Sequence, residues 1–119
     1  MSATDTVGEA YNRGFQLRCE GKYREAKLAF GEVLRINPRH LDARWQMGLI
    51  QGFEGDFDGS LSTLQNLANE NPREAKVLND LAMTQQMLGY EDEAAENFRR
   101  VLAIEPGHEN ATKQLSYYQ

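Results

Sequence analysis

The most informative stretch of this chain is residues 21–38, which have the sequence GKYREAKLAFGEVLRINP. It begins with Gly21, and glycine adopts the left-handed backbone conformation of a helix C-terminal turn without steric cost. It ends with Pro38, which disfavours helical geometry at the residue before it. Between them, apolar residues recur at helical spacing: Tyr23, Ala26, Phe30, Val33 and Leu34. The stretch therefore predicts one amphipathic helix bounded by a glycine turn and a proline.

The same arrangement recurs along the chain with a period of 34 residues. The prolines Pro38, Pro72 and Pro106 keep this spacing, since 72 − 38 and 106 − 72 both give 34. Four further sets of residues follow it: Gly21, Gly55 and Gly89; Gly14, Gly48 and Ala82; Ala26, Ser60 and Ala94; Phe30, Leu64 and Phe98. A fixed period of this length is typical of stacked structural repeats, each of which buries its apolar face against its neighbours.

A second helix is predicted before each glycine, so that every repeat is a helical hairpin. In the first repeat this helix runs from Val7 to Glu20, and its buried stripe falls at Ala10, Gly14 and Leu17. The pattern Thr6-x-x-Glu9 predicts a capping box at its start. We call the first helix of each hairpin helix A and the second helix B. Small residues at Gly14 and Ala26 allow the two helices to approach closely.

These patterns give the organisation of the chain as one domain spanning residues 7–119. Its predicted parts are an N-terminal tail at 1–6, repeats at 7–40, 41–74 and 75–108, and a capping helix at 109–119. The last helix has an apolar stripe at Ala111, Leu115 and Tyr118. Its predicted polar outer face consists of Lys113, Gln114, Ser116 and Gln119. Such a helix protects the end of a repeat array from water.

The residues resemble the tetratricopeptide repeat (TPR) family. Its pattern of a small residue, then Ala-x-x-x-aromatic, then proline matches Gly14, Ala26-x-x-x-Phe30 and Pro38. The resemblance is looser in the second repeat, where Ser60 and Leu64 replace the alanine and the aromatic. It implies an all-α fold, a right-handed helical-hairpin solenoid (an α–α superhelix) of three 34-residue repeats with a capping helix. It also implies a protein-interaction module, an adaptor, scaffold or co-chaperone-like protein.

In the family, the A helices line a concave groove in which a peptide or helix of a partner protein lies. The resemblance places the following partner-binding residues in this groove: Tyr11, Asn12, Phe15, Trp45, Gln46, Leu49, Asn79 and Met83. Tyr11 and Phe15 are four residues apart and share a helix face that is separate from the core stripe, as do Trp45 and Leu49. Three other residues, Cys19, Phe53 and Met87, are interpreted as filling space between adjacent A helices.

One binding mode of the family, the clamp that holds the acidic C-terminal tails of heat-shock chaperones, is not expected. Its positions correspond here to Tyr11, Phe15, Gln46, Lys76 and Asp80. Only Lys76 matches, and Asp80 would repel a carboxylate.

Two other classes of function are a self-associating structural subunit and an enzyme. The chain would act as a structural subunit if the groove or the capping helix, with Tyr117 and Tyr118, bound a second copy. An enzyme is not predicted, because His40 and His108 occupy equivalent repeat positions and Cys19 has no activating neighbour in the sequence. No catalytic, metal or cofactor site is predicted.

Composition limits the partners and the compartment. The net charge is −5 without a basic cluster, which argues against nucleic acid as a partner. No apolar run approaches the roughly 20 residues that a membrane span needs, so membrane insertion is not expected. Cys19 is the only cysteine, and residues 1–5 have no basic segment followed by an apolar one, which favours the cytoplasm.

Overall fold

The computed structural model describes residues 3–118, and the side chains of residues 6–118. Within this range the chain forms seven α-helices, a final 3₁₀ turn and no strand, which confirms the predicted all-α fold. The helices are α1 (Ala3–Cys19), α2 (Tyr23–Ile36), α3 (Leu41–Phe53), α4 (Phe57–Glu70), α5 (Ala75–Met87), α6 (Glu91–Ile104) and α7 (Glu109–Leu115), and the 3₁₀ turn is Ser116–Tyr118.

The predicted turns are present in all three hairpins. Gly21, Gly55 and Gly89 have φ angles of 79°, 86° and 87°, in the left-handed region that favours glycine. The amides of Gly21 and Lys22 donate hydrogen bonds of 2.9 Å back to the end of α1. These bonds satisfy carbonyl groups that the helix end would leave without partners.

The start of α1 differs from the prediction. Helix α1 begins at Ala3, so Thr6 lies inside it rather than at a capping position. The predicted tail at 1–6 is therefore helical from residue 3 onward, while residues 1 and 2 lie outside the described range. Nothing between Ala3 and Thr6 interrupts a helix, since alanine has the highest helix propensity and an acidic residue is favourable in a first turn.

The chain divides into two compact units, Met1–Asp56 and Phe57–Gln119. In the first unit α2 packs against both α1 and α3, and α1 also contacts α3. Its core consists of Ala10, Ala26, Phe30, Val33, Ala43 and Ile50. Gly14 is required here, because a Cβ atom at this position would lie 2.8 Å from the Phe30 ring.

In the second unit α5 packs between α4 and α6, and α7 packs on α6. Its largest buried apolar side chains are Leu64, Leu67, Leu78, Leu81, Val77, Phe98 and Val101. A polar pair is also buried, since Asn97 Nδ2 donates to Gln85 Oε1 at 2.7 Å. The boundary between the units falls between α3 and α4, inside the predicted second repeat. The single domain at 7–119 and its repeat boundaries remain predictions.

The capping helix is shorter than the predicted segment 109–119. Helix α7 ends at Leu115 and continues as the 3₁₀ turn, while Gln119 lies outside the described residues. Ala111 and Leu115 are buried, in agreement with the predicted apolar stripe.

Both histidines cap helices, a role that the sequence analysis did not assign. His40 Nδ1 accepts a hydrogen bond from the Ala43 amide at 3.0 Å, at the start of α3. His108 Nδ1 accepts one from the Ala111 amide at 3.2 Å, at the start of α7. The equivalent residue before α5, Glu74, makes no side-chain cap bond. Their recurrence in the repeat therefore has a structural reason.

Candidate functional site

The predicted partner-binding residues of the first unit lie on helices α1 and α3. We call this surface the first-unit face and define it by Tyr11, Asn12, Phe15, Trp45 and Leu49. Asn12 is exposed and Phe15 is 44% exposed, while the other three are half-buried. The face therefore combines a solvated edge with partly covered aromatic surface.

Tyr11 is held firmly within this face. Its ring packs edge-on against Phe30 at a centroid distance of 5.6 Å and stacks on His40 at 5.5 Å. Gln46 Nε2 donates to the Tyr11 hydroxyl at 3.4 Å, which connects α3 to α1. The side chain is thus oriented before any partner binds.

Gln46 itself does not line the face. It is 1% exposed, and within the described residues its Oε1 atom has no hydrogen-bond partner. Gln46 follows Ala43 by three residues and precedes Ile50 by four, and both of these are buried. This helical spacing places Gln46 on the core stripe of α3 and is the sequence feature that predicts its burial.

The interpretation of Cys19, Phe53 and Met87 as space-filling residues is wrong. Cys19 is exposed, Phe53 is 54% exposed and Met87 is 61% exposed. Each is the last residue of its A helix, immediately before the glycine turn. Few neighbours surround a side chain at a helix end, because the chain turns away there.

Phe53 belongs to an aromatic cluster that extends the first-unit face. Its ring stacks on Tyr23 at a centroid distance of 5.6 Å. The Arg18 guanidinium lies over the Phe15 ring at 5.1 Å and over the Phe53 ring at 5.9 Å. Arg18 was not among the predicted partner-binding residues, although its spacing of three residues from Phe15 places both on one side of α1.

The remaining predicted residues, Asn79 and Met83, lie on α5 in the second unit. We call their surroundings the second-unit face and define it by Asn79, Met83 and Gln86. Asn110 Nδ2 of α7 donates to Asn79 Oδ1 at 2.8 Å and approaches Met83 Sδ at 3.5 Å. Gln86 Nε2 donates to the Tyr118 hydroxyl at 2.9 Å. The capping segment, which consists of α7 and the 3₁₀ turn, therefore contacts the second-unit face.

Tyr118 holds the end of the capping segment in place. Partial burial raises the pKa of its phenol, and a hydrogen bond to the Glu91 carboxylate raises this pKa further. The hydroxyl accepts the 2.9 Å hydrogen bond from Gln86 of α5.

An open cavity of about 340 Å³ lies between α4 and α6 in the second unit. Its lining residues are Gln65, Asp92, Glu93, Glu96 and Asn97. The acidic residues stand in the first turns of α6, where the helix dipole favours them.

Among the described residues, no group of three or more histidine, cysteine, aspartate or glutamate side chains is placed to hold a metal ion. In the same range, no helix has the length and apolar character needed to span a membrane.

Comparison with known proteins adds to this geometry. Residues 75–108 match the family model described as tetratricopeptide repeat. Among solved structures, the first TPR of Spaghetti (RPAP3) bound to the HSP90 peptide SRMEEVD superposes with a TM-score of 0.86, at 19% identity over 95% of this chain and 90% of that one. The chain has the tetratricopeptide-repeat fold.

Two structures of MamA share this TPR fold. One crystal structure of MamA has a TM-score of 0.82 and 17% identity, over 92% of this chain and 64% of that one. MamA 41-end from Desulfovibrio magneticus RS-1 has a TM-score of 0.81 and 19% identity, over 93% and 63%. The TPR chain thus spans less than two thirds of these MamA chains. No curated protein matches its sequence.

The two departures from the family pattern in the second repeat lie at buried positions. Ser60 and Leu64, which replace the preferred alanine and aromatic, are 2% and 1% exposed. A small side chain and a large apolar side chain at these positions are therefore sufficient for the core.

Proposed function

We propose that this TPR chain is a protein-interaction module, an adaptor or scaffold whose first-unit face binds a peptide or helix of another protein. The observation that carries the proposal is apolar surface at one end of this face, where Phe15 is 44% and Phe53 54% exposed. Exposed aromatic surface on a folded protein marks interaction sites, and aromatic residues dominate their binding energy. The RPAP3 structure supports the proposal, because there a chain of the same fold is bound to a peptide.

Each residue of the face has a separate part in the proposal. Phe15, Trp45 and Leu49 offer apolar surface for the partner to cover, and Asn12 offers exposed hydrogen-bonding groups. Tyr11 supplies a fixed wall, since Phe30, His40 and Gln46 hold its side chain. Gln46 contributes through Tyr11 rather than by contact. A pre-oriented surface loses less side-chain entropy on binding.

Asn79 and Met83 have a smaller part. Asn110 already uses the amide oxygen of Asn79, so a partner at the second-unit face would contact mainly the remaining surface of Met83. Methionine adapts well to varied apolar ligands.

The acidic peptide of the RPAP3 structure is not part of the proposal. Of the positions that would clamp such a peptide, only Lys76 carries a matching residue. Gln46, another of these positions, is buried. The fold therefore supports a protein partner without supporting that particular ligand.

The proposal is tested by affinity capture from the native cell extract. The bait proteins are the wild-type chain, the variant Phe15→Glu with Trp45→Glu, and the control Leu28→Glu. Leu28 is 69% exposed on α2, so it matches the apolar-to-acidic change outside the face. Circular dichroism verifies that each bait is folded.

We expect a partner that the wild type and Leu28→Glu retain and the double variant loses. With the purified partner, the dissociation constant of the double variant rises by about 100-fold or more, as for the loss of two aromatic anchors. Equal affinity of all three baits would show that the first-unit face is not the binding site.

Self-association remains a second candidate, favoured by the exposure of Tyr117, which is 66%. Tyr118 is less available, since Gln86 binds its hydroxyl. In this alternative the capping segment of one copy would contact the first-unit face of another. A sedimentation experiment at high protein concentration that finds only monomers would exclude it.

A further inference from the structure

Arg18 is placed unlike an ordinary surface arginine. Its guanidinium lies over two phenyl rings, and its side chain is half-buried. Among the described residues, its Nε atom is buried without a hydrogen-bond partner. Cation–π attraction to the two rings holds the guanidinium beside them. Nη2 makes one long contact of 4.0 Å to Cys19 Sγ, and the two outer nitrogens are the groups that can bind an anion.

No carboxylate of the described chain pairs with Arg18. Some basic side chains of the first unit do have such partners, since Arg13 lies 2.8 Å from Glu32 and Lys27 lies 2.8 Å from Glu54. The acidic residue nearest in sequence, Glu20, is engaged elsewhere. It pairs with Lys22 at 3.2 Å and accepts a hydrogen bond from Gln16 at 3.2 Å. The arrangement therefore orients a cation without neutralising it.

We propose that Arg18, held by Phe15 and Phe53, binds the carboxylate of an internal aspartate or glutamate in the partner segment, with apolar residues on either side of it. Guanidinium and carboxylate form paired hydrogen bonds of matching geometry. The half-exposed Phe15 and Phe53 rings contact the apolar neighbours of that acidic residue. Because both rings adjoin the cation, a residue inside a segment fits better than a chain end, which has a neighbour on one side only.

This inference rests on the proposed function and adds the chemistry of the partner. The net charge of −5 disfavours an acidic segment at long range. At physiological ionic strength, however, interactions of exposed charges are screened beyond roughly 8 Å. At the point of contact Arg18 offers a guanidinium that pairs with no carboxylate of the described residues.

The test uses two synthetic peptides with blocked ends, Ac-Gly-Leu-Glu-Phe-Gly-NH₂ and its glutamine counterpart. Both are titrated into the isotope-labelled full chain and followed by NMR. The variants are Arg18→Gln, Arg18→Lys and the control Arg35→Gln. Arg35 is an exposed arginine at the end of α2, so its replacement gives the same change in net charge.

In the wild type and Arg35→Gln, we expect the glutamate peptide to bind about tenfold more tightly than the glutamine peptide. Its addition shifts the Arg18 side-chain signal and the amide signals of Phe15 and Phe53. In Arg18→Gln the ratio of the two affinities falls to about one, while the glutamine peptide binds as before. Arg18→Lys gives an intermediate ratio, because it keeps the charge and loses the planar fork.

Three results would overturn the inference: equal affinities in the wild type, a tenfold ratio that persists in Arg18→Gln, or no binding of either peptide up to about 10 mM. Equal affinities together with shifts at Phe15 and Trp45 would remove the carboxylate preference and leave the first-unit face in place. A separate experiment tests whether the first-unit face binds a partner at all. If it does not, the Phe15→Glu, Trp45→Glu variant captures as much of the partner as the wild type does.

Discussion

The A helices of the two units present the same repeat positions to different surroundings. On α5, Asn79 shares its amide oxygen with Asn110 and Gln86 binds Tyr118, so the capping segment uses the polar groups of this face. On α1, the residue equivalent to Asn79 is Tyr11, which is turned onto Phe30 and His40. The residue four positions later, Phe15, stays 44% exposed. The second-unit face is thus hydrogen-bonded to the capping segment of the same chain, whereas the first-unit face keeps aromatic surface exposed to solvent.

Residues at equivalent repeat positions of α1 and α5 therefore differ in the contacts that they make within the chain. A polar A-helix face is satisfied by the next helix of its own chain through amide hydrogen bonds. The aromatic side chains of the first-unit face are only partly covered by the rest of the chain, as the exposure of Phe15 shows. Three tests of this difference follow, ordered from the largest expected change in stability to the smallest.

The closeness of helices A and B is tested with Gly14→Ala in the first unit. A Cβ atom there would lie 2.8 Å from the ring of Phe30, which is fully buried, so the packing would have to shift. We expect a loss of about 1–3 kcal/mol in the free energy of unfolding, as for an overpacked core, even though alanine favours a helix. Urea denaturation followed by circular dichroism measures it.

Its counterpart is Ala82→Gly, because Ala82 holds the equivalent position in the second unit and is fully buried. Glycine in a helix interior costs about 1 kcal/mol, and the lost methyl contact adds to this. If Gly14→Ala were stabilising, the tight approach of α1 and α2 would not be a constraint, and the two units would pack alike.

The helix caps are tested with His40→Ala. This change removes the acceptor of the Ala43 amide hydrogen bond at the start of α3. The expected loss is about 1 kcal/mol, the usual contribution of an N-cap side chain. His108→Ala should have a similar cost at α7, where the bond is 3.2 Å. Thermal unfolding compares the three proteins.

The matched control is Glu74→Ala, since Glu74 stands at the equivalent position without a cap bond. Its stability should change by less than about 0.5 kcal/mol, as at ordinary surface sites. A control as destabilised as His40→Ala would mean that the cap bond does not account for the histidine effect.

The contact between α7 and the second-unit face is tested with Asn110→Ala. Loss of the 2.8 Å bond to Asn79 should cost about 0.5–1 kcal/mol, because both residues are half-buried and solvent partly replaces the bond. Hydrogen exchange of the α7 amides measures the local effect. Asn12→Ala, at an exposed position of α1, is the control and should leave α7 unchanged.

Much of the fold follows directly from the sequence. Gly21, Gly55 and Gly89 were predicted to occupy left-handed turns and do so, because this conformation strongly favours glycine. Gly14 and Ala26 were predicted to allow the close approach of the two helices, and the Phe30 ring of α2 lies where a Cβ of residue 14 would be. Periodic positions of this kind are set by backbone geometry and residue size, both of which are visible in one sequence.

The candidate site was less accessible to the same reasoning. Helical periodicity gives the direction of a side chain but not how far its neighbours extend, so the exposure of Phe53 and Met87 was not foreseen. Gln46, which is buried, was assigned to the face because the resemblance to the TPR family places its position in the groove. Arg18 depends on two rings from different helices, a contact that only the folded chain defines. Whether the eight predicted residues bind a partner stays a prediction.

The packing of each helix on its sequence neighbours has a consequence for how the chain folds. Helices α1 and α2, like α5 and α6, meet across turns of only a few residues, so the contacts between them form at small sequence separation. Closing such short loops costs little chain entropy, and domains rich in local contacts fold in microseconds to milliseconds. We therefore expect each hairpin to form rapidly and to gain lasting protection only after the next helix has docked.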